Sequence, residues 1–248
     1  MDRLIHTALS GMRGSMARQT VTANNLANAN TVGFRAEMQS ARSLWVRGMG
    51  LEARAPVSQE VTGADMSAGS INQTGRDLDV AMTGDGLLTV QAEDGSEAYT
   101  RRGDLQVAAS GVLTTGDGRP VLGESGPITI PPADSIRIAE DGAIWIVPAG
   151  GDASQPQQVD RLKLVSPQGS RIAKALDGLF RVQGGGALPS DPQARLIPAS
   201  LEGSNVNTSQ TLIDMIEASR SWDMQLQLVS SAREMDTSAA DLMRMPNS

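Results

Sequence analysis

The sequence predicts an α+β protein in which N- and C-terminal helices pair as a coiled coil and flank an extended connector and a central all-β domain. At both ends of the 248-residue chain, apolar residues recur at alternating intervals of three and four positions, the pattern of a coiled-coil helix. Between the ends, short apolar or alternating runs are separated by Asp-Gly pairs, which is typical of antiparallel strands. The predicted boundaries are 1–35 for the N-terminal helix, 36–74 for the connector, 75–200 for the β domain and 201–248 for the C-terminal helix.

The N-terminal segment is predicted to form one helix of about 26 residues and about 40 Å. Its seam contains one polar member, Gln19, which could set the register of pairing. Small residues beside the seam, such as Gly11 and Ser15, allow other helices to approach closely. The predicted seam consists of Ile5, Leu9, Met12, Met16, Gln19, Ala23 and Leu26.

The stretch TANNLANANTVGFR is predicted to end this helix. Asparagine is a mediocre helix former because its amide competes for nearby backbone groups. Asn28, Asn30 and Thr31 offer side chains that can bind the backbone groups freed at a helix end. Gly33 can take a left-handed conformation there, and Phe34 can anchor the turn. We therefore expect these five residues to form the exit from the helix into the connector.

The connector, 36–74, shows no sustained period and is predicted to be extended, with one long hairpin as a possible form. The β domain follows, with runs such as LDVAM, LLTVQ, IRI, IWIV and LFRV. TGDG, at 83–86, is predicted to be a hairpin turn, because it lacks the Lys and Ser/Thr of a phosphate-binding loop. QGGGALPSDP, at 183–192, is predicted to be a flexible loop without core residues.

The C-terminal segment repeats the helical pattern of the N-terminal one. Ser209 or an adjacent polar residue is predicted to cap its start, and Pro246 lies beyond its end. The seam residues again alternate at intervals of three and four. They are Leu212, Met215, Ser219, Trp222, Leu226 and Val229.

Composition argues against several classes of function. The chain has no Cys and one His, which removes the commonest metal ligands and most general bases, so no catalytic, metal or cofactor-binding residue is predicted. Asp77, Asp79 and Asp85 could mimic a calcium loop, but their alternation with apolar residues fits the solvent face of a strand better. The absence of Cys also fits an oxidising compartment or an export route. The opening MDRLIHTALSGMRGSM lacks the apolar stretch of a cleaved signal, and no apolar run is long enough to span a membrane.

The net charge of −7 is unevenly distributed. Residues 1–50 carry six Arg against two acids, whereas residues 201–248 carry three Arg against seven acids. The two predicted helices are therefore electrostatically complementary. The acidic balance and the aromatic content of 2% argue against nucleic-acid binding, since they supply neither a phosphate-binding surface nor a stacking platform.

Three long segments carry the signatures of one family. They are LSGMRGSMARQTVTANNLANANTVGFR at 9–35, GRDLDVAMTGDGLLTV at 75–90 with the YTRRGDLQVAASGVLTTGDGRPVLG that follows, and GSNVNTSQTLIDMIEASRSWDMQLQLVSSAREMD at 203–236. In this order they resemble the N-terminal signature, the β domain and the C-terminal helix of the bacterial flagellar rod and hook proteins. The opening MDRLIHTALSGM, the SWDMQLQL block and the modest length look most like proximal rod subunits, with distal rod subunits as the alternative.

The resemblance implies an inner coiled coil formed by both termini, an extended connector and an outer β domain. It implies export through the flagellar type III apparatus without a cleaved signal peptide, and a periplasmic location in the rod of the basal body. It also implies polymerisation with copies of the chain, other proximal rod subunits and the distal rod protein. We expect the terminal helices to order fully only within such an assembly.

The predicted function is structural, as a subunit of the axial drive shaft that transmits torque from the motor to the hook. The side chains predicted to form the assembly interface are Ile5, Leu9, Met12, Met16, Ala23, Leu26, Leu212, Met215, Ile216, Trp222, Leu226 and Val229. Two further hypotheses come from other classes. One is a β-domain adhesin or binding module with a helical stalk, and the other is a carboxylate-based hydrolase.

Overall fold

The computed structural model describes residues 2–43, 57–152 and 154–244. A long helix lies near each end of the chain, α1 (Asp2–Ala27) and α2 (Thr208–Arg244), and strands occupy the region between them. This arrangement confirms the predicted α+β class. In the described part of the chain, neither helix combines the length and the apolarity needed to cross a lipid bilayer.

The strands are short, as the brief apolar runs of the sequence indicate. They are β1 (Glu37–Ser43), β2 (Val57–Ala64), β3 (Ile71–Gln73), β4 (Val80–Met82), β5 (Leu87–Gln91), β6 (Glu97–Thr100), β7 (Leu105–Val107), β8 (Leu113–Thr115), β9 (Ala133–Ile138), β10 (Ala143–Pro148), β11 (Gln157–Arg161), β12 (Leu164–Val165), β13 (Ile172–Lys174), β14 (Phe180–Val182), β15 (Leu196–Pro198) and β16 (Ser200–Glu202).

The largest sheet has five strands in the order β12-β5-β6-β14-β13, and a three-stranded sheet has the order β11-β10-β9. Two-stranded sheets pair β1 with β2, β15 with β4, β16 with β3 and β7 with β8. The pairings within the two larger sheets are antiparallel. So are those of β15 with β4, β16 with β3 and β7 with β8. Of these three pairs, only β7 and β8 are consecutive strands joined by a short connection.

The chain forms two compact units. The first, called here the helical unit, comprises Met1–Ala27, Glu37–Gly63 and Asn207–Ser248. The second, called here the β unit, comprises Asn28–Ala36 and Ala64–Val206. Residues of the predicted connector, 36–74, therefore contribute to both units.

In the helical unit, asparagine side chains hold the starts of α2 and β1 in place. Asn207 caps α2, because its Oδ1 accepts a hydrogen bond of 3.2 Å from the backbone N–H of Gln210. Asn25 binds the start of β1 through both atoms of its amide: Oδ1 accepts from the N–H of Glu37 at 2.8 Å, and Nδ2 donates to the Glu37 carbonyl at 3.0 Å. Asn24 adds a bond of 2.8 Å to the Glu37 carboxylate. These two asparagines therefore fasten β1 to α1.

Aliphatic side chains dominate the core of the β unit. The larger buried cluster includes Val80, Leu88, Leu113, Ile128 and Ile144, which are inaccessible to solvent. A smaller cluster consists of Leu87, Tyr99, Val165, Phe180 and Leu188. Tyr99 and Phe180 are thus the aromatic members of an otherwise aliphatic core.

The structure corrects two predictions about loops of the β unit. The TGDG turn is not a hairpin, because β4 pairs with β15 whereas β5 pairs with β6 and β12, so the turn joins strands of different sheets. The loop at 183–192 does contribute to the core: Leu188 is buried, and its N–H donates a hydrogen bond of 2.6 Å to the Tyr99 hydroxyl. A single Leu beside three glycines was not recognised as a core residue from sequence.

Candidate assembly surface and chain junction

The helices of the helical unit pack antiparallel through small side chains. A Cβ added to Gly11 would lie 3.0 Å from Nε2 of Gln225. Further along α1, the hydroxyl oxygens of Ser15 and Ser221 lie 3.2 Å apart. As residue numbers rise in α1 they fall in α2, so the two helices run in opposite directions.

The contact face of α2 follows a heptad pattern, but not the predicted one. Seven buried or partly buried positions alternate at intervals of four and three, and Ser221, which contacts Ser15, lies beside them. The seven are Thr211, Met215, Ala218, Trp222, Gln225, Val229 and Ala232. This face shares Met215, Trp222 and Val229 with the predicted seam and replaces the other members by residues one position earlier.

The predicted seam is therefore not the contact between α1 and α2. In α1, Leu9, Met16, Gln19 and Ala23 are exposed, while Met12 and Leu26 are partly buried. In α2, the predicted seam residues Leu212, Ser219 and Leu226 are exposed. Small residues form the contact because they let the backbones of the two helices approach closely. The larger side chains project outward from the pair. Ile5 lies outside the residues whose side chains are described.

Large apolar side chains are consequently exposed along both helices. Each has between 42% and 64% of its surface accessible. Single exposed apolar residues are ordinary, but a concentration on one pair of helices marks a surface for a protein partner. The exposed residues are Leu9, Met16, Leu212, Ile213, Ile216, Met224, Leu226, Leu228 and Met235.

The predicted helix exit lies in the β unit and begins where α1 ends, at Ala27. Asn28 and Thr31 form its first turn: the Thr31 N–H donates to the Asn28 carbonyl and the Thr31 hydroxyl to Asn28 Oδ1, each at 3.1 Å. The N–H of Phe34 donates to the Thr31 carbonyl at 3.3 Å. Asn30 is exposed.

Gly33 lies in this exit at a place that excludes a side chain. It has φ of 66°, in the left-handed region, and a Cβ there would clash with the carbonyl oxygen of Arg101. Its N–H donates a hydrogen bond of 2.8 Å to the Glu202 carbonyl. The next residue, Phe34, has the Lys174 ammonium 3.7 Å from the centre of its ring. Backbone geometry and close packing both require glycine at position 33.

A buried ion cluster follows directly after Gly33. Arg35 Nη2 lies 2.8 Å from Glu202 Oε1, and Arg101 Nε lies 2.9 Å from Glu202 Oε2. The backbone N–H of Gly69 donates to Glu202 Oε1 at 2.9 Å. All three charged side chains are at most 2% exposed. Burial lowers the pKa of Arg101, and the positive charge of Arg35 adds to this, while Glu202 opposes it.

Asn205 connects three passages of the chain at the edge of the β unit. Its Oδ1 accepts a hydrogen bond of 2.7 Å from the N–H of Ala36. Its Nδ2 donates to the carbonyls of Asp65 and Ser67, at 2.9 and 3.0 Å. Ala36 is where the chain leaves the β unit after α1, Asp65 lies just after its return, and Asn205 lies just before α2. One amide thus binds all three passages.

Three protein-family models match the chain. A model described as flagella basal body rod protein matches residues 5–35, and one described as flagellar hook protein FlgE/F/G D1 domain matches 81–146. A third, flagellar basal body rod FlgEFG protein C-terminal, matches 198–242.

Among curated proteins, the flagellar basal-body rod protein FlgF of Salmonella typhimurium is 42% identical over 99% of this chain and all of its own length. FlgF of Escherichia coli matches with the same identity and coverage. The flagellar basal-body rod protein FlgG of Bacillus subtilis is 31% identical over 98% of this chain and all of its own length. The chain belongs to the flagellar basal-body rod protein family.

A flagellar basal-body rod protein is a structural subunit of the basal body and not an enzyme, and it assembles with other rod and hook subunits. The three matched segments of this rod protein meet in the buried ion cluster. Arg35 ends the first segment, Arg101 lies in the second and Glu202 in the third. The cluster therefore joins parts of the family sequence that are far apart in the chain.

Sequence reasoning missed Arg101, Glu202 and Asn205. Arg, Glu and Asn side chains are usually solvated, so these residue types give no sign of burial. The sequence offered one sign of this site, because Arg35 lies only two positions after Gly33. A left-handed glycine close to a charged residue marks a tightly packed turn. That signal identifies the place but not the partners, which are supplied by distant segments.

Proposed function

We propose that this chain is a subunit of the proximal rod, in the place that FlgF occupies among rod proteins, and that it polymerises into the axial drive shaft. The observation that carries the proposal is the 42% identity to FlgF proteins across the full chain. Identity to the FlgG protein of Bacillus subtilis, at 31%, is lower over the same span. The distal rod and adhesin alternatives are therefore not favoured.

The exposed apolar faces of α1 and α2 support a role for the helical unit in the wall of the tube. Ordering such faces in water is unfavourable unless another surface covers them. In the assembled rod, helices of neighbouring subunits cover these faces and complete a coiled coil. We assign the assembly interface to the predicted residues on both helices, with Leu9, Met16, Leu212, Ile216 and Leu226 as its large exposed members.

The buried ion cluster and Gly33 support a mechanical role for the chain junction. A shaft that transmits torque needs connections that do not bend under load. The cluster fixes the helix exit against Glu202, only a few residues before α2 begins. In this proposal the exit residues Asn28, Asn30, Thr31, Gly33 and Phe34 fix the path of the chain within the β unit, just after α1 ends.

Family membership also supports the proposed route and partners. The subunit leaves the cytoplasm through the flagellar type III apparatus and reaches the periplasm without a cleaved signal. It then joins other proximal rod proteins and copies of itself beneath the distal rod protein. No cofactor is needed for these steps.

Replacement of the gene in the source bacterium tests the proposal. Deletion is expected to abolish motility, and a tagged copy is expected to restore it and to co-purify with isolated basal bodies at the proximal end of the rod. Normal motility of the deletion strain, or a tagged chain found outside the basal body, would contradict the proposal.

The exposed interface can be tested separately. Ile216→Asp and Leu226→Asp place a charge on faces that are 54% and 44% exposed in the chain. Their effect on the free energy of unfolding of the monomer is expected to stay within about 0.5 kcal/mol. Incorporation into basal bodies is expected to fall at least about tenfold, because an unpaired charge is costly to bury. Gln168→Asp, at an exposed polar position of the β unit, is the control.

A further inference from the structure

A cleft of about 390 Å³ lies within the helical unit, between α1, α2 and β1. Its lining includes Arg18, Asn25, Glu37, Gln39, Asp214 and Glu217. Three carboxylates against one guanidinium leave the lining with a net charge of −2 when all are ionised. We call this feature the acidic cleft. Its size is within the range of protein pockets that accept a ligand or a side chain.

Within the part of the chain that the structure describes, the acidic cleft contains acceptor atoms without a hydrogen-bond partner. Nε2 of Gln39 donates to the Ala17 carbonyl at 2.6 Å, which fixes the amide, and its Oε1 is buried without a hydrogen-bond partner. Asp214 accepts a hydrogen bond of 2.9 Å from Gln210 within α2. Within the described residues, Glu217 takes part in no hydrogen bond or ion pair. A buried carbonyl oxygen and two exposed carboxylates together favour a cationic donor.

The one guanidinium in the lining does not supply that donor. Nη2 of Arg18 lies 3.5 Å from the Ser15 hydroxyl, so it is directed toward the contact between the helices. Within the described residues, no ion pair joins Arg18 to Asp214 or Glu217. Among the described residues, the lining of the acidic cleft therefore has an excess of carboxylates over guanidinium groups.

A matching cation lies on the outward face of α1. Arg13 is exposed, and among the described residues it forms no ion pair. It stands between Leu9 and Met16, at intervals of four and three, in a stripe whose apolar members are 42% and 60% exposed. Arg13 lies two positions from Gly11 and two from Ser15, which is a rotation of about 200° around the helix axis. Arg13 therefore points away from these two residues, which contact α2. Arg13 therefore faces away from the acidic cleft of its own chain.

We propose that the acidic cleft of one copy of this chain binds the Arg13 guanidinium of a second copy. The proposal rests on the proposed function, because it names the contact through which copies of this subunit join. The outward stripe of α1 is then covered by the cleft side of α2, where Ile213 and Met224 are exposed on either side of Glu217. The two surfaces of the contact are different, so the same contact can repeat from copy to copy without closing on itself.

The chemistry favours arginine as the occupant. A guanidinium carries five N–H donors in a planar fork, which can bind a carboxylate with two bonds and still reach a carbonyl oxygen. Glu217 or Asp214 would take the paired bonds and Gln39 Oε1 the remaining one. An ammonium has the charge but not the fork, so Arg13→Lys is expected to retain only part of the assembly that the wild type shows.

Charge exchange in the source bacterium tests the contact. Arg13→Glu and Glu217→Arg are each expected to lower the number of basal bodies containing the chain at least about tenfold, because like charges then meet. The double variant is expected to recover most of the loss. Arg233→Glu and Glu234→Arg, two exposed charges further along α2, are the matched controls and should change little. A double variant no better than the single ones would overturn the proposal.

Cysteine cross-linking shows whether the contact joins two copies. The chain has no Cys, so Arg13→Cys and Glu217→Cys each introduce a single thiol. When both variants are expressed together, mild oxidation of basal bodies should give a disulfide-linked dimer, and neither variant alone should give it. Absence of the dimer in basal bodies that contain both variants, or a cross-link only to a different protein, would overturn the proposal. Absence of the wild-type chain from basal bodies would instead overturn the proposed function.

Discussion

Arg35 and Glu202, which are 167 positions apart, form an ion pair of 2.8 Å from which solvent is excluded. Glu202 also lies 2.9 Å from Arg101, so one buried carboxylate balances two buried guanidinium groups. Removal of one partner from a buried ion pair leaves an uncompensated charge. We therefore expect Glu202→Gln to lower the free energy of unfolding of the β unit by about 3–5 kcal/mol.

Urea unfolding followed by the fluorescence of Trp145 measures this effect, in a chain whose other two tryptophans are replaced by Phe. Asp177→Asn is the matched control, because Asp177 forms a partly exposed pair of 2.7 Å with Arg181. The control is expected to cost at most about 1 kcal/mol. Equal losses in the two variants would show that burial of the Arg35–Glu202 pair has no special importance.

Replacement of Gly33 tests the packing of the helix exit. We expect Gly33→Val to permit export but to impair assembly, because its Cβ would meet the carbonyl oxygen of Arg101 and its φ would be unfavourable. Gly75→Val is the matched control, since Gly75 has φ of 77° with nothing within 4 Å of an added Cβ. Secretion assays and basal-body yields separate the two effects. Normal rod formation by Gly33→Val would contradict the prediction.

Ser15 and Ala23 distinguish the observed helix contact from the predicted seam. Ser15 is 1% exposed at the contact with α2, whereas Ala23 is exposed. Ser15→Leu is expected to force the helices apart and to cost about 1–3 kcal/mol. Ala23→Leu should change the stability of the monomer by no more than about 0.5 kcal/mol. Circular dichroism during urea unfolding measures the effect of each substitution on stability. If Ala23→Leu were the more destabilising of the two, the predicted seam and not the observed face would form the contact with α2.

The single tyrosine of the chain gives a pH-dependent signal. Burial raises the pKa of Tyr99 from 10.0 to about 12, and the nearby Glu97 carboxylate adds to this, while the Leu188 N–H opposes it. A raised pKa in the folded state means that the neutral phenol stabilises the fold. This contribution is present in full below about pH 10 and is lost as the pH rises toward 12.

Tyrosinate absorbance measures this titration without interference, because Tyr99 is the only Tyr. We expect a midpoint near 12 in the folded chain and near 10 in urea. Tyr99→Phe should remove the signal and reduce the loss of stability at high pH. A folded-state midpoint close to 10 would show that the hydroxyl is solvated.

Local patterns predicted the elements of this fold well. A helix of about 26 residues was predicted at the N-terminus, and α1 has 26. Alternating runs such as IWIV predicted strands, and β10 (Ala143–Pro148) contains that run. These features depend on the period of side-chain burial along a few consecutive residues, which a single sequence shows directly.

The choice between two neighbouring helix faces could not be made in this way. In α2, the predicted seam through Leu212 and Leu226 and the observed face through Thr211 and Gln225 share every second member. Hydrophobicity favours the first, but small residues at Gly11, Ser15 and Ala218 allow the closer approach. The ion cluster also escaped prediction, since its partners come from segments far apart in sequence.

Asn205 binds the backbone at Ala36, Asp65 and Ser67, so three of the four points at which the chain enters or leaves the β unit lie together. Protein segments with neighbouring ends can be exchanged or resized without disturbing what they are attached to. In evolution or in protein engineering, the β unit can thus be replaced by another domain or changed in size. The places where the chain enters and leaves it would stay the same.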